Sequence, residues 1–379
     1  MKIIDIKTIP VRHYLFVEIT TDNGIKGLGE AGNWGFIDAT AACIKKLSEF
    51  VIDKDPFTIE HHFQNMYRAM YFRGSVIMSA ISAIEIALWD IKGKALGVPV
   101  YELLGGKTRE RIRTYANGGQ GSAQELAKNC LQLKKQGFTA AKLFLSDEKF
   151  KEDGSDEFFS SRLSNITEKV RACREAVGND FDFILEMHRC LTIPEAISLG
   201  KSVEQFRPYV YEDPIIPDNI DSMVQVANSI SIPIATGERF TNIFEFQALL
   251  ARGGASYLRP DVCAVGGINA SKKIAAIAES HNVGIIPHNP LGPVSTAACV
   301  QLGACIPNLA IQELPGFMMN GQEDAMVKRP FTIQDGCIIV SSEPGIGVEL
   351  SENAQKLFPP KDRAFPEAKK SFDGSVRDF

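Results

Sequence analysis

Apolar and polar positions alternate through the first thirty residues. Ile3 to Thr8 alternates, Tyr14 to Thr20 is rich in β-formers, and Ile25 to Ala31 follows the turn Asp22-Asn23-Gly24. This pattern predicts three strands. Residues 37–104 change to helical spacing. The clearest case is 75–94, SVIMSAISAIEIALWDIKGK, which ends near Gly97 with Pro99 just beyond. Strands and helices in separate blocks predict an α+β module.

From about residue 111 short apolar strands alternate with helical stretches. The strands are expected at 111–117, 139–144, 182–187, 209–213, 232–238, 257–262, 284–288 and 309–314. Such alternation implies parallel pairing through crossover helices, and eight strands imply a closed (β/α)8-type barrel. An open doubly wound sheet is the competing arrangement. Against it, no G-x-G-x-x-G opens the first helix, and Gly118-Gly119 alone is weak. Residues 330–350 read as one or two strands with a Gly-rich turn at Gly345. The polar end, 354–379, is expected to return to the N-terminal module. The domain division predicted is 1–110, a capping α+β module; 111–320, the barrel; and 321–379, a C-terminal segment rejoining the cap. The charged stretch 147–157, DEKFKEDGSDE, reads as a solvated loop.

The length of 379 residues suits a large barrel plus a second module. Apolar content of 45% and charged content of 23% fit a water-soluble chain with a sizeable core. The net charge of −5, with scattered basic residues, argues against a nucleic-acid partner. No apolar run approaches the ~20 residues of a membrane span. The N-terminus lacks the layout of a signal peptide. The eight cysteines form no C-x-x-C pair and read as reduced core thiols in a cytoplasmic protein.

The chemistry is expected at the C-terminal ends of the barrel strands, where barrel enzymes place their active sites. These ends carry Lys142, Glu186 with His188, Glu212, Glu238, Asp261, His288 and Glu313. Successive steps from Glu186 to Glu313 are 26, 26, 23, 27 and 25 residues, about one strand-plus-helix unit each. One acidic residue after a strand is usually a helix cap or a solvated loop residue. The same feature on six consecutive strands is not explained that way. Glu186, Glu212 and Glu238 on neighbouring strands would repel unless a cation lay between them. Oxygen-only ligands favour a hard ion, Mg²⁺ over Zn²⁺. His288 suits a general base, and Asp261 one strand earlier suits a partner for its other ring nitrogen. Glu313, protonated, is expected to donate to a substrate carboxylate, with Lys142 adding positive charge on the opposite side. His188, two residues past Glu186, is expected on the same face by strand alternation.

These residues resemble the enolase superfamily, its mandelate racemase subgroup, and within that the acid-sugar dehydratases. The resemblance runs along most of the chain. It includes Leu28-Gly29-Glu30, Arg73, ALWDIKGKALGVPVYELLGG (87–106), Tyr211-Glu212-Asp213-Pro214, ATGERF (235–240), RPDVCAVGGI (259–268), PHNPLGP (287–293) and IQEL (311–314). It implies a modified TIM-type (β/α)7–8 barrel under an α+β cap built from both chain ends. It implies metal ligation by Glu186, Glu212 and Glu238, an Asp261–His288 dyad, a carboxylate-side acid at Glu313, and His188 assisting departure of a 3-hydroxyl. The reaction implied is Mg²⁺-dependent dehydration of an aldonate of the galactonate, gluconate or mannonate kind, through loss of the C2 proton, to a 2-keto-3-deoxy acid. Epimerisation, racemisation or cycloisomerisation through the same enolate is the alternative. Trp34, Asn33 and Arg239 are the expected substrate contacts, and a homodimer or octamer the expected assembly. Two positions depart from the family pattern. Glu186 stands where most such dehydratases have Asp. Phe144 stands where the racemases have a second catalytic lysine and galactonate dehydratases a polar residue.

Overall fold

The computed structural model describes residues 1–33, 35–145, 158–316, 318, 321, 323–361 and 374–376. Three strands, β1 (Ile3–Val11), β2 (Tyr14–Thr21) and β3 (Lys26–Ala31), form an antiparallel meander. Its second turn closes through Gly24 at φ +85°, where its amide reaches the Thr21 carbonyl. Helices α1 (Ile37–Leu47), α2 (Ile59–Ala69), α3 (Ser75–Leu96) and the short α4 (Val100–Leu103) follow. α3 is the predicted apolar helix, and it is buried on nearly every face over residues 78–91. Ile81, Ile84, Ile86, Leu88 and Ile91 are fully buried, each stabilising the fold by roughly 1.5–3 kcal/mol. α3 lies so close to β3 that a Cβ at Gly27 or Gly29 would strike the carbonyls of Ala87 or Ala83. It ends at Gly97, whose φ of +68° closes the helix.

The barrel follows in strict alternation: β4 (Arg111–Asn117), α5 (Ala123–Lys135), β5 (Ala140–Phe144), α6 (Phe159–Val177), β6 (Asp182–Glu186), α7 (Ile193–Val203), β7 (Val210–Glu212), α8 (Ile220–Ala227), β8 (Ile234–Thr236), α9 (Ile243–Leu250), β9 (Tyr257–Leu258), α10 (Gly267–Ser280), β10 (Gly284–Ile285), α11 (Pro293–Cys305) and β11 (Gln312–Glu313). The strands from β4 to β10 pair in parallel with their sequence neighbours. A bridge from Ile285 to Leu309 and the β11–β4 pairing close the circle. Several helix starts are written locally. Ser122/Glu125, Thr192/Glu195 and Asn242/Glu245 form reciprocal caps at α5, α7 and α9. The barrel interior is a layer of its own: Tyr115, Ala140, Ile184, Val210, Ala235, Ile286 and Ile311. Large Tyr115 fits because two of its companions are alanines.

The last strands are shorter than the apolar runs suggest. β9, β10 and β11 hold two residues each, because the chain beyond them turns outward into the loops that carry the functional groups. Two further strands, β12 (Ile333–Gln334) and β13 (Cys337–Ile339), form a hairpin, and β13 runs antiparallel to the first residues of β4. A last short helix, α12 (Ala354–Leu357), packs on β1. The chain is tied there by Arg12 N–H to the Phe358 carbonyl and Lys361 N–H to the Arg12 carbonyl. Residues 354–361 thus lie along the first strand of the meander. The predicted loop at 147–157 lies outside the described residues. All eight cysteines are free, five of them buried. Among the described residues no helix is long and apolar enough to cross a membrane.

Candidate active site

Glu186 and Glu212 end adjacent strands and pair side by side in the parallel register. Glu238 follows β8 after Gly237, whose φ of +125° turns the chain back over the rim. One carboxylate oxygen from each of the three lies within 4.8 Å of the others. Glu186 and Glu212 are almost wholly buried. Burial and the neighbouring Glu212 push the Glu186 carboxyl well above the usual range. Burial opposes ionisation of Glu212 too, but Arg259 and Lys142 outweigh it and hold its pKa low. Glu238 is likewise held low, because His288 and Arg189 overcome its desolvation. The second Glu212 oxygen is buried with no hydrogen-bond donor among the described residues. Crowded, buried, oxygen-only acceptors with one unsatisfied lone-pair site fit a hard divalent cation.

The neighbouring strand ends bring Asp261 and His288 together. A parallel bridge aligns their backbones, and His288 Nδ1 lies 2.9 Å from Asp261 Oδ2. The other Asp261 oxygen accepts the Cys263 amide at 2.8 Å, which fixes the carboxylate plane. With Nδ1 engaged by Asp261, Nε2 faces Glu238, 3.5 Å from its Oε2. Burial alone would lower the His288 pKa. Glu238 and Asp261 outweigh it and raise it.

Glu313 differs from its expected state. Its carboxylate accepts from Lys142 Nζ at 2.6 Å, Arg259 Nη2 at 2.8 Å and the Asn289 amide at 3.0 Å. These cations overcome burial and hold its pKa far below the usual carboxylate range, which favours the charged form over the protonated one expected from the sequence. Lys142 sits within the ring, 3.1 Å from Glu212 and 3.6 Å from Glu186, between the Tyr115 and Phe144 rings. His188 reaches the rim for a different reason from strand alternation. β6 ends at Glu186, and His188 takes a left-handed conformation (φ +50°) that lets its amide donate to Glu186 Oε1 at 2.7 Å.

Three residues at the site were not anticipated. Arg259 is fully buried and bridges Glu212 (3.0 Å) to Glu313, with its other nitrogen on the Tyr115 hydroxyl. Its place within the predicted strand 257–262, two residues before Asp261, was the available signal. Arg189 pairs with Glu238, and Asn289 locks beside Glu313; neither has a signature in the linear pattern. Of the expected substrate contacts, Asn33 is half-buried, with its amide nitrogen lacking an acceptor among the described residues. Arg239 is exposed and outside the buried ring. Trp34 lies outside the described residues.

A closed parallel barrel under an antiparallel meander, with acidic groups converging on its rim, defines a class of barrel enzymes. Residues 3–105 match the mandelate racemase / muconate lactonizing enzyme N-terminal domain, and residues 125–354 match the enolase C-terminal domain-like family. The chain belongs to this family, a branch of the enolase superfamily. It is 37% identical over 378 residues to a D-galactonate dehydratase of Xanthomonas oryzae pv. oryzae, covering 97% of this chain and 96% of that protein. It is 38% identical over 359 residues to the D-galactonate dehydratase of Variovorax paradoxus, covering 93% of each. Among solved structures it is similar to an enolase from Agrobacterium radiobacter, a candidate galactarate dehydratase bound to Na and L-malate. There the TM-score is 0.91 at 29% identity, with 100% of each chain covered. A candidate mandelate racemase/muconate lactonizing enzyme from Labrenzia alexandrii gives a TM-score of 0.90 at 34% identity, covering 96% of this chain and 98% of that one.

Proposed function

We propose that this chain is a Mg²⁺-dependent hydro-lyase that dehydrates a sugar acid of the aldonate class to a 2-keto-3-deoxy acid. The observation that carries the reading is the juxtaposition of the Glu186–Glu212–Glu238 cluster with His288 Nε2, which lies 3.5 Å from Glu238 Oε2. Its relatives among D-galactonate dehydratases support the same chemistry. Glu186, Glu212 and Glu238 would hold the cation. When bound, Mg²⁺ supplies positive charge to the substrate carboxylate as negative charge builds there.

The residues of the chain do the rest. His288 Nε2 takes the proton from C2, and Asp261 keeps the ring turned by holding its Nδ1 proton. The electron pair of the broken C–H bond moves toward C3, and the 3-hydroxyl departs as water with a proton from His188. The resulting enol tautomerises to the ketone. Glu313 anchors Lys142 and Arg259, so that their charges flank the carboxylate end of the substrate. Asn33 would offer its amide donor to a sugar hydroxyl. A two-base racemisation would need a second base across the substrate. By the family pattern Phe144 stands where a second catalytic lysine would be, and Lys142 is paired with Glu313 and Glu212, which supports one-base elimination. We also propose the division of the chain into 1–110, 111–320 and 321–379. Free thiols throughout suit a reducing cytoplasm.

The test is incubation of the Mg²⁺-loaded protein with a panel of aldonates and aldarates, scoring 2-keto acid. Galactonate is the first member to try. Turnover of one or more acids is the expected result, and none across the panel would end the reading.

A further inference from the structure

The end of β3 runs between the two loops that carry Asp261 and His288. Glu30, the last residue but one of the strand, is completely buried and has no part in the chemistry above. One of its carboxylate oxygens accepts the Gly292 amide at 2.7 Å and the other accepts the Ser295 amide at 2.8 Å. Gly292 stands four residues after His288. The arm between them is held at its near end by Asn289, whose amide meets Glu313 and whose side-chain oxygen accepts from Ser295 Oγ at 2.9 Å. A Cβ on Gly292 would lie 2.7 Å from the Glu30 oxygen, so the arm is seated directly on that carboxylate. Two residues after Glu30, the Gly32 amide donates at 2.9 Å to the carbonyl of Cys263, the residue whose own amide holds Asp261. A Cβ on Gly32 would come within 2.7 Å of that carbonyl. One three-residue stretch of the N-terminal sheet thus touches the loops of both the acid and the imidazole.

From this geometry we propose that Glu30 is a positioning residue for proton transfer: it sets where the His288 ring stands relative to Asp261. The proposal rests on the reading of that pair as the proton-transfer pair. The alternative role is simple capping of α11, which needs only an acceptor at its first amides. The molecule supplies its own control. Glu85 on α3 is equally buried and caps α10 in the same way, accepting from Ile268 and Asn269 at 2.8 and 2.9 Å. Those amides lie beyond the Asp261 loop, so Glu85 has the cap without the arm to the imidazole.

The experiment compares Glu30→Gln, Glu85→Gln and Gly32→Ala with the wild-type full chain. Glutamine offers one acceptor where Glu30 offers two, and its amide group repels the second N–H. The Mg²⁺-loaded proteins are assayed with the acid from the panel that the wild type turns over, protonated or deuterated at C2. Glu30→Gln is expected to lower kcat about 10- to 100-fold with KM within about twofold, and to enlarge the C2 isotope effect, as a misplaced base does. Glu85→Gln is expected to lose comparable thermal stability and keep kcat near wild type. Gly32→Ala, which displaces the Asp261 side of the pair, is expected to follow Glu30→Gln and carries the test if that variant fails to fold. Nitrogen-15 spectra of the imidazoles, with His288 assigned from a His288→Asn sample, read the ring independently of turnover. They should show a single Nδ1-protonated tautomer in the wild type and a mixture in Glu30→Gln. Equal kcat losses in the Glu30 and Glu85 variants, or an unchanged isotope effect and tautomer in Glu30→Gln, would overturn the proposal. A wild type with the expected tautomer but no turnover would instead overturn the functional reading alone.

Discussion

The two halves of the barrel rim hold their functional groups by different means. On the β6–β8 side, Glu186 and Glu212 end strands paired in full register, and their carboxylates are held by side-chain cations from inside the barrel. On the β9–β11 side the strands are two residues long, and Asp261 and His288 stand beyond them on loops. Those loops are secured by residues from the far end of the chain. The difference teaches that the carboxylate cluster is a property of the barrel itself, whereas the Asp261–His288 pair belongs equally to the meander that covers it.

Several experiments would break or sharpen this contrast. Removal of divalent metal by a chelator should abolish turnover and readdition of Mg²⁺ restore it, with circular dichroism unchanged. Persisting activity after exhaustive chelation would remove the cation from the account. His288→Asn should lower turnover by about 10²–10⁴-fold, the usual contribution of a positioned base. Its Mg²⁺ affinity by calorimetry should stay within a few-fold, because the ligands lie on the other half. A parallel loss of metal binding would show that the halves are not separable. Arg259→Met leaves Glu313 and Glu212 short of a buried counter-charge. It should destabilise the fold by about 3–5 kcal/mol in denaturant titrations, and a cost below 1 kcal/mol would mean that Lys142 balances the ring alone.

The smallest effect is a coupling between the halves. Glu238 and Asp261 outweigh burial and raise the His288 pKa. A raised pKa contributes stability that is full below the unfolded value near 6.5 and is lost as pH rises through the folded value. A cation that draws on the charge of Glu238 should lower the His288 pKa and shrink that contribution. Imidazole titration by NMR with and without Mg²⁺ checks the sign, and a rise on adding Mg²⁺ contradicts the shared geometry.

The strands β4–β8, the long helix α3 and the acidic rim were legible in the sequence, because each follows from a local rule. Periodicity marks the element, and one ionisable residue marks the strand end. What was not legible depends on groups far apart in the chain. Glu313 reads as a neutral acid until Lys142 and Arg259, 171 and 54 residues away, are seen to hold its charge. The short β9–β11 were overestimated because an apolar run continues into buried loop residues such as Val262 and Ile286. Strand alternation was the basis for expecting His188 beside Glu186, but β6 ends at Glu186 and His188 takes a left-handed turn beyond it. The partners of Glu30 are 262 and 265 residues distant, beyond the reach of any local pattern.

β4 has one further consequence, for how the chain is made. Its first residues pair with β13, Thr114 and Tyr115 in its middle pair with β11, and the Thr114 hydroxyl donates to a carbonyl 222 residues later. As the polypeptide leaves the ribosome, the barrel's opening strand therefore keeps one bare edge until nearly the whole chain has emerged. Contacts of such separation slow folding and leave an unpaired edge as a template for wrong partners. Demand for chaperones should accordingly be greatest late in synthesis, and chains ending before β11 should be the most prone to aggregate.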